Sequence, residues 1–202
     1  LAFWSFDHGV VLDLFYPNLT VIFSAVLAVA VQFVSASREK KFIQESFGKY
    51  LAPEVINELI ANPANLKLGG QRKELSILFS DIRDFTSISE KMSPEKLTEF
   101  LGDYLSRMTS VVLHYRGVVD KYIGDAVMAF WGAPVPQADH ALQAVLAALV
   151  MVEELAKFNE ENKKRGWPEI KIGVGINSGA VVVGNMGSEK RFDYTVIGDS
   201  VN

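Results

Sequence analysis

The 202-residue chain contains no cysteine, which excludes disulfides and thiolate metal sites. Its three histidines, His8, His114 and His140, are too far apart in sequence to suggest a histidine zinc site. A basic excess is also lacking, since the net charge is −4. Nucleic-acid binders usually present a strongly basic face, so no nucleic acid is expected as a partner. Internal repeats and low-complexity tracts are missing too. No Lys or Arg precedes Arg38, so the apolar N-terminal run lacks the basic start of a signal peptide. What is present is a core-forming composition, 49% hydrophobic and 22% charged.

The apolar excess is concentrated near the N-terminus. Leu14 to Ser37 is 24 residues without a charge, and a bilayer core needs about 20 apolar residues as helix. Residues 14–37 are therefore expected to span a membrane, a buried helix of a soluble protein being the alternative. Arg38, Lys40 and Lys41 follow at once, which places everything after them on the cytoplasmic side of the plasma or inner membrane. Residues 1–13, with Phe3, Trp4, Asp7 and Asp13, would lie outside or at the interface, as the tail of an upstream sensor. The chain opens on Leu and stops within a motif, so a longer protein is expected.

Residues 38–66 read as a helical linker. Phe42, Ile43, Phe47, Tyr50 and Leu51 recur about once per helical turn. Pro53 and Glu54 suit the start of a second short helix, and Asn62-Pro63 ends it. This segment is either a spacer or a transducer that pairs with its copy in a dimer.

Residues 67–202 form the remaining domain. Lys67 to Glu74 is polar and glycine-containing, which suggests a boundary. Leu75 to Asp81 reads as a short apolar strand ending in a carboxylate. Pro94 to Tyr115 keeps a helical apolar period through Phe100, Tyr104, Met108 and Val112, with Gly117 as its cap. Val118–Ile123 and Ala126–Trp131 suggest a hairpin around Gly124-Asp125. Gln137 to about Asn162 predicts a second helix carried by Leu142, Val145, Leu146, Leu149, Val152 and Leu155. Ile170–Asn177 and Ala180–Met186 suggest another strand pair turning at Ser178-Gly179. Gly173 to Gly179 is strand and turn, so it does not match a dinucleotide loop. The order of elements is that of an α+β, ferredoxin-like split βαβ fold, an antiparallel sheet with helices on one face.

Two carboxylates stand out. Asp81 ends the first strand and Asp125 sits at the hairpin tip, so both can reach one edge of the sheet and share hard cations. The plain alternative is a helix-capping Asp81 and a turn residue Asp125. His114, His140, Trp131, Phe130 and Trp167 are taken as structural.

Phe79-Ser-Asp-Ile-Arg-Asp-Phe-Thr86 and Asp120-Lys-Tyr-Ile-Gly-Asp-Ala-Val-Met-Ala-Phe-Trp-Gly-Ala-Pro134 resemble the class III adenylyl/guanylyl cyclase catalytic domain. So do Gly173 to Gly184 and Asp193 to Asn202. Upstream, Phe47-Gly-Lys-Tyr-Leu-Ala-Pro-Glu-Val55 is similar to the transducer of bacterial membrane cyclases. The preceding apolar run is similar to the end of a CHASE2 sensor module.

The resemblance implies a lyase that converts ATP to 3′,5′-cyclic AMP and pyrophosphate. The alternatives are a guanylyl cyclase or a nucleotide-binding regulatory module without turnover. It implies two Mg2+ or Mn2+ ions on Asp81, Asp125 and the Ile82 carbonyl. Amides around Phe85 and Thr86 would hold the triphosphate, helix starts being suited to anions. Lys121 and Thr195 would read the purine, and Asn202 would position the ribose. Adenine offers N1 as acceptor and its amine as donor, matching Lys121 and the Thr195 hydroxyl. Guanine presents the opposite pattern, and similar guanylyl cyclases carry Glu and Cys at these places. Many adenylyl cyclases carry Asp at the Thr195 position.

Some positions depart from the pattern. The transition-state arginine and a phosphate-binding lysine are expected beyond Asn202, so residues 1–202 alone are expected to be weakly active or inactive. Gly173 stands where some members carry an arginine, and Asp84 replaces a common Gly. The resemblance further implies a homodimer, with the metal pair from one chain and Lys121, Thr195 and Asn202 from the other. A diguanylate cyclase is disfavoured, because Lys121-Tyr-Ile-Gly-Asp125 stands in place of its Gly-Gly-Asp/Glu-Glu-Phe hairpin.

Overall fold

The structure, a computed structural model, describes residues 18, 20–28, 31–32, 69–188 and 190–202. The chain divides into two units, Leu1–Tyr50 and Leu51–Asn202. In the first, residues 20–28 and 31–32 are helical, and Val21, Ile22, Phe23, Val26, Leu27 and Val31 are exposed. Among the described residues no helix is long and apolar enough to cross a membrane. The rest of the expected span 14–37, the tail 1–13 and the linker 38–66 lie outside the described residues.

The second unit is built on a five-stranded sheet of order β2-β3-β1-β4-β5. Its elements are β1 (Gly69–Ile82), α1 (Phe85–Ser89), α2 (Pro94–His114), β2 (Val118–Ile123), β3 (Ala126–Trp131), α3 (His140–Arg165), β4 (Ile172–Ser188) and β5 (Arg191–Ile197). All pairings are antiparallel, and β1 is central between β3 and β4. This is the expected ferredoxin-like order with β5 added at one edge.

Alternation along the strands makes two cores. Leu78, Ile82, Val127, Ala129 and Trp131 face α2 and α3, burying Phe100, Tyr104, Met108, Met151 and Phe158. Leu75, Ile77, Met128, Phe130, Val181, Val183 and Val196 form a second core on the other face. The sheet curls to close this second core. Its opposite edges, β2 and β5, meet where the Thr195 hydroxyl donates to the Asp120 carboxylate at 2.5 Å.

The structure corrects four expectations. First, Gly69–Glu74 is strand rather than boundary, since β1 pairs with β4 along its whole length. Second, no turn forms at Ser178-Gly179. The extended β1 offers a ladder partner to every residue from Ile172 to Asn185, and β4 runs through. Gly179 is needed because the Ser200 side chain would meet any Cβ there. Third, the helix at 94–114 is closed by Arg116, not Gly117. Arg116 takes φ 61°, and the Arg116 and Gly117 amides donate to the Leu113 and Val112 carbonyls at 3.0 and 2.9 Å. That is a Schellman closure, and Gly117 is small because Trp131 lies 2.6 Å from where its Cβ would stand.

The fourth correction concerns α3, which spans His140–Arg165 rather than 137–162. It buries Ala144, Ala147, Met151, Leu155 and Phe158. Of the expected apolar stripe, Leu155 is buried and Leu146 partly so, whereas Leu142, Val145, Leu149 and Val152 are exposed. Two apolar stripes share one helical period here, and the alanine stripe lets the helix approach the sheet more closely. Periodicity cannot choose between them.

Candidate active site

The carboxylate pair is built by adjacent central strands. Asp81 lies one residue before the end of β1, and Asp125 follows Gly124 in the two-residue β2–β3 turn. Gly124 takes φ 66°, a backbone that favours glycine in such tight loops. Pairing of Ser80 with Val127 carries the β1 end to the turn. There the Ile82 amide donates to Asp125 Oδ2 at 2.9 Å. Asp81 is not a helix cap, because the N-cap of α1 is Asp84, whose side chain makes no capping bond. Asp84 takes φ 57°, which explains why similar sequences commonly have glycine there.

The Asp81 carboxyl is held above its ordinary value, first by partial burial and then by the Asp125 charge, with Arg83 opposing. Two like charges side by side are relieved by a cation between them. Among the described residues no group of three or more His, Cys, Asp or Glu could hold a metal. A cation here would therefore complete its shell with the Ile82 carbonyl, water or substrate oxygen. An all-oxygen set of this kind fits Mg2+ or Mn2+ and not zinc. Beneath the pair, the Tyr104 hydroxyl and Ser80 Oγ are buried without a well-formed hydrogen bond. They are close enough for Ser80 to draw the phenol down, yet burial dominates and pushes Tyr104 up to about 12.

Arg83 leaves β1 just past Asp81 and lays its guanidinium against Gly173, the residue opposite Asp81 on β4. A side chain at 173 would displace this guanidinium from its place. Sequence reading missed Arg83. The signal was a glycine paired with the strand end where a basic residue is otherwise found.

The second group forms where the sheet curls. Thr195 on β5 pairs with Gly184 and so lies level with Gly70, near the start of β1. Lys121 lies on β2, at the opposite edge. A bulge between Val119 and Lys121 leaves Asp120 as an extra residue in β2, and a bulge re-aims side chains. The Asp120 side chain is 1% exposed, and Lys121 Nζ approaches its Oδ1 at 3.4 Å. That contact is an ion pair without hydrogen-bond geometry, so Oδ1 is buried with no hydrogen bond. Burial raises the Asp120 carboxyl, while the Thr195 hydroxyl, the Lys121 ammonium and the Val196 backbone oppose. Thr195 is itself buried, and its neighbour Tyr194 packs on Phe130 of the second core at 6.3 Å.

The structure thus brings Asp81 to Asp125, and Lys121 to Thr195 through Asp120. Asn202 stands apart from both contact sets, after the 3-10 turn Asp199–Val201. That turn is tied to β4 by Asn177 donating to the Ser200 carbonyl at 3.0 Å. Phe85 and Thr86 open α1, where amides lack partners within the helix. Phe85 packs on the first core, and the Thr86 carbonyl accepts from Ser89 Oγ at 2.8 Å.

A ferredoxin-like sheet with paired carboxylates at the β1 end and a Lys–Thr pair across its curl defines a nucleotide-cyclase type of domain. Residues 70–202 match the adenylate and guanylate cyclase catalytic domain, and the chain belongs to that family. It is 40% identical over 167 residues to an adenylate cyclase of Anabaena cylindrica, covering 81% of this chain and 31% of that protein. Among solved structures, the guanylyl cyclase Cya2 is 42% identical with a TM-score of 0.64, covering 66% of this chain and 68% of that one. The adenylyl cyclase CyaB from P. aeruginosa is 40% identical with a TM-score of 0.64, covering 66% and 70%. The chain spans about a quarter to a third of the length of the curated relatives it matches.

Proposed function

We propose that this domain is an adenylyl cyclase, converting ATP to 3′,5′-cyclic AMP and pyrophosphate. The observation that carries the choice of base is the convergence of Lys121 and Thr195 across the curled sheet. Adenylyl and guanylyl cyclases share this fold at equal likeness, so side chains and not the backbone select the purine. Lys121 donates to adenine N1 and Thr195 accepts from the exocyclic amine. A protonated guanine N1 would face the Lys121 donor, a mismatch that buried sites reject strongly.

In the reaction the ribose 3′-oxygen attacks the α-phosphorus, the bond to the β-phosphate oxygen breaks, and pyrophosphate leaves with the hydroxyl proton released to solvent. Asp81, Asp125 and the Ile82 carbonyl would hold Mg2+ or Mn2+. When bound, such ions supply charge neutralisation and acidify the hydroxyl. The Phe85 and Thr86 amides and the Arg83 guanidinium hold the phosphates, Arg83 supplying the charge that Gly173 cannot. Asn202 orients the ribose. Each site is completed by a second copy, since one chain carries both halves. A membrane helix over residues 14–37, with its basic Arg38, Lys40 and Lys41 on the cytoplasmic side, tethers the dimer.

The test is product formation from ATP and GTP by the full-length protein with Mg2+ or Mn2+, beside Asp81→Ala. Cyclic AMP far in excess of cyclic GMP, falling at least about a hundredfold in the variant, supports the assignment. Comparable cyclic GMP overturns the base reading, and nucleotide binding without product makes the domain a regulatory module.

A further inference from the structure

The buried carboxylate of Asp120 is accounted for neither by the metal pair nor by the direct contacts to the purine. It sits at a bulge, an expensive place for a charge, and touches both base-reading side chains and no other charged group among the described contacts. Thr195 can donate one hydrogen bond and accept two. An ionised carboxylate only accepts, so at 2.5 Å the Thr195 proton is committed to Asp120. The lone pairs of the hydroxyl are then what remains to face a ligand.

We propose that Asp120 is a positioning residue for purine selection, which locks the Thr195 hydroxyl as an acceptor and tethers the Lys121 ammonium beside it. A free threonine hydroxyl rotates and serves a donor or an acceptor alike, so Thr195 alone cannot tell the adenine amine from the guanine carbonyl. With its proton held by Asp120 it accepts from the amine, and it opposes a carbonyl oxygen with an oxygen. The neutral threonine thereby does the work of an acceptor-only side chain. The inference rests on the adenylyl cyclase reading of this site.

Asp120→Asn is the informative change. The amide oxygen turns toward the Lys121 ammonium, which sends its NH2 to Thr195 and frees the threonine proton to point outward. The site then tolerates guanine O6. Binding of 3′-deoxy-ATP and 3′-deoxy-GTP, neither of which can cyclise, is measured on the full-length protein with Mn2+. The wild type favours the adenine analogue, and Asp120→Asn lowers that preference about tenfold. In a Thr195→Val background the same change lowers it no further, because Asp120 acts through Thr195. If Asp120→Asn does not fold, Asp120→Ser frees the hydroxyl as well and moves the ratio the same way.

An unchanged ratio overturns the proposal, even where both affinities fall together. Lys121→Glu separates the two levels. If it moves the ratio while Asp120→Asn does not, the base site stands and the role of Asp120 fails. If neither moves it, or the wild type has no preference, the base-site reading fails and takes the inference with it.

Discussion

The two groups of site residues teach different lessons. The carboxylate pair is assembled by strands that are direct neighbours, two of them joined by a tight hairpin. The Lys121–Thr195 pair is assembled by strands at opposite edges, which meet only because the sheet folds over its own core. The first arrangement is robust to the rest of the domain. The second depends on Leu75, Met128, Phe130 and Val196 filling the curl.

The strongest way to break this contrast is Asp125→Ala. Cyclase activity should fall about a thousandfold, while the relative binding of 3′-deoxy-ATP and 3′-deoxy-GTP stays as in the wild type. A shifted ratio would mean that the two groups are coupled.

Phe130→Ala and Phe158→Ala sharpen it. Both rings are fully buried, one in each core. Each truncation should cost about 3–5 kcal/mol in urea unfolding. Only Phe130→Ala should also erode the purine preference, because Phe130 supports β5 through Tyr194.

A smaller effect belongs to the helix-covered face. Tyr104 is pushed up to about 12 from 10.0, mainly by burial. The unfolded chain gives up this proton first as pH rises. The contribution is therefore intact below pH 10 and is lost between about pH 10 and 12. That amounts to about 2–3 kcal/mol. The loss should vanish in Tyr104→Phe, as read from denaturation midpoints at pH 9 and 11.5.

The smallest effect tests the corrected helix face. Leu149→Gln, on the exposed stripe of α3, should change stability by no more than about 0.5 kcal/mol. Ala147→Leu, on the buried stripe, should cost about 1–3 kcal/mol by overpacking. Thermal melts of the pair would reverse this order if Leu149 faced the sheet.

Much of the domain was legible from residue order. The periods of α2 and the β2–β3 hairpin, with its Gly124-Asp125 turn, are local signals. So is the placing of a carboxylate at the end of an apolar strand. The errors arose where a local cue had a tertiary cause. Ser178-Gly179 reads as a turn, yet Gly179 is there for Ser200. Gly117 reads as a cap, yet it is there for Trp131, and Arg116 bears the positive φ. The larger apolar side chains of α3 read as the core face, yet the alanines are buried.

The amino-acid sequence by itself determined the class of fold and the placing of a carboxylate pair, because each follows from short-range pattern and chemistry. Only the tertiary structure decided that Asp120 is bulged, buried and shared between Lys121 and Thr195, and that Arg83 fills the space over Gly173. Those contacts join strands distant in sequence across a curl, and the curl comes from packing on both faces at once, which no local pattern encodes.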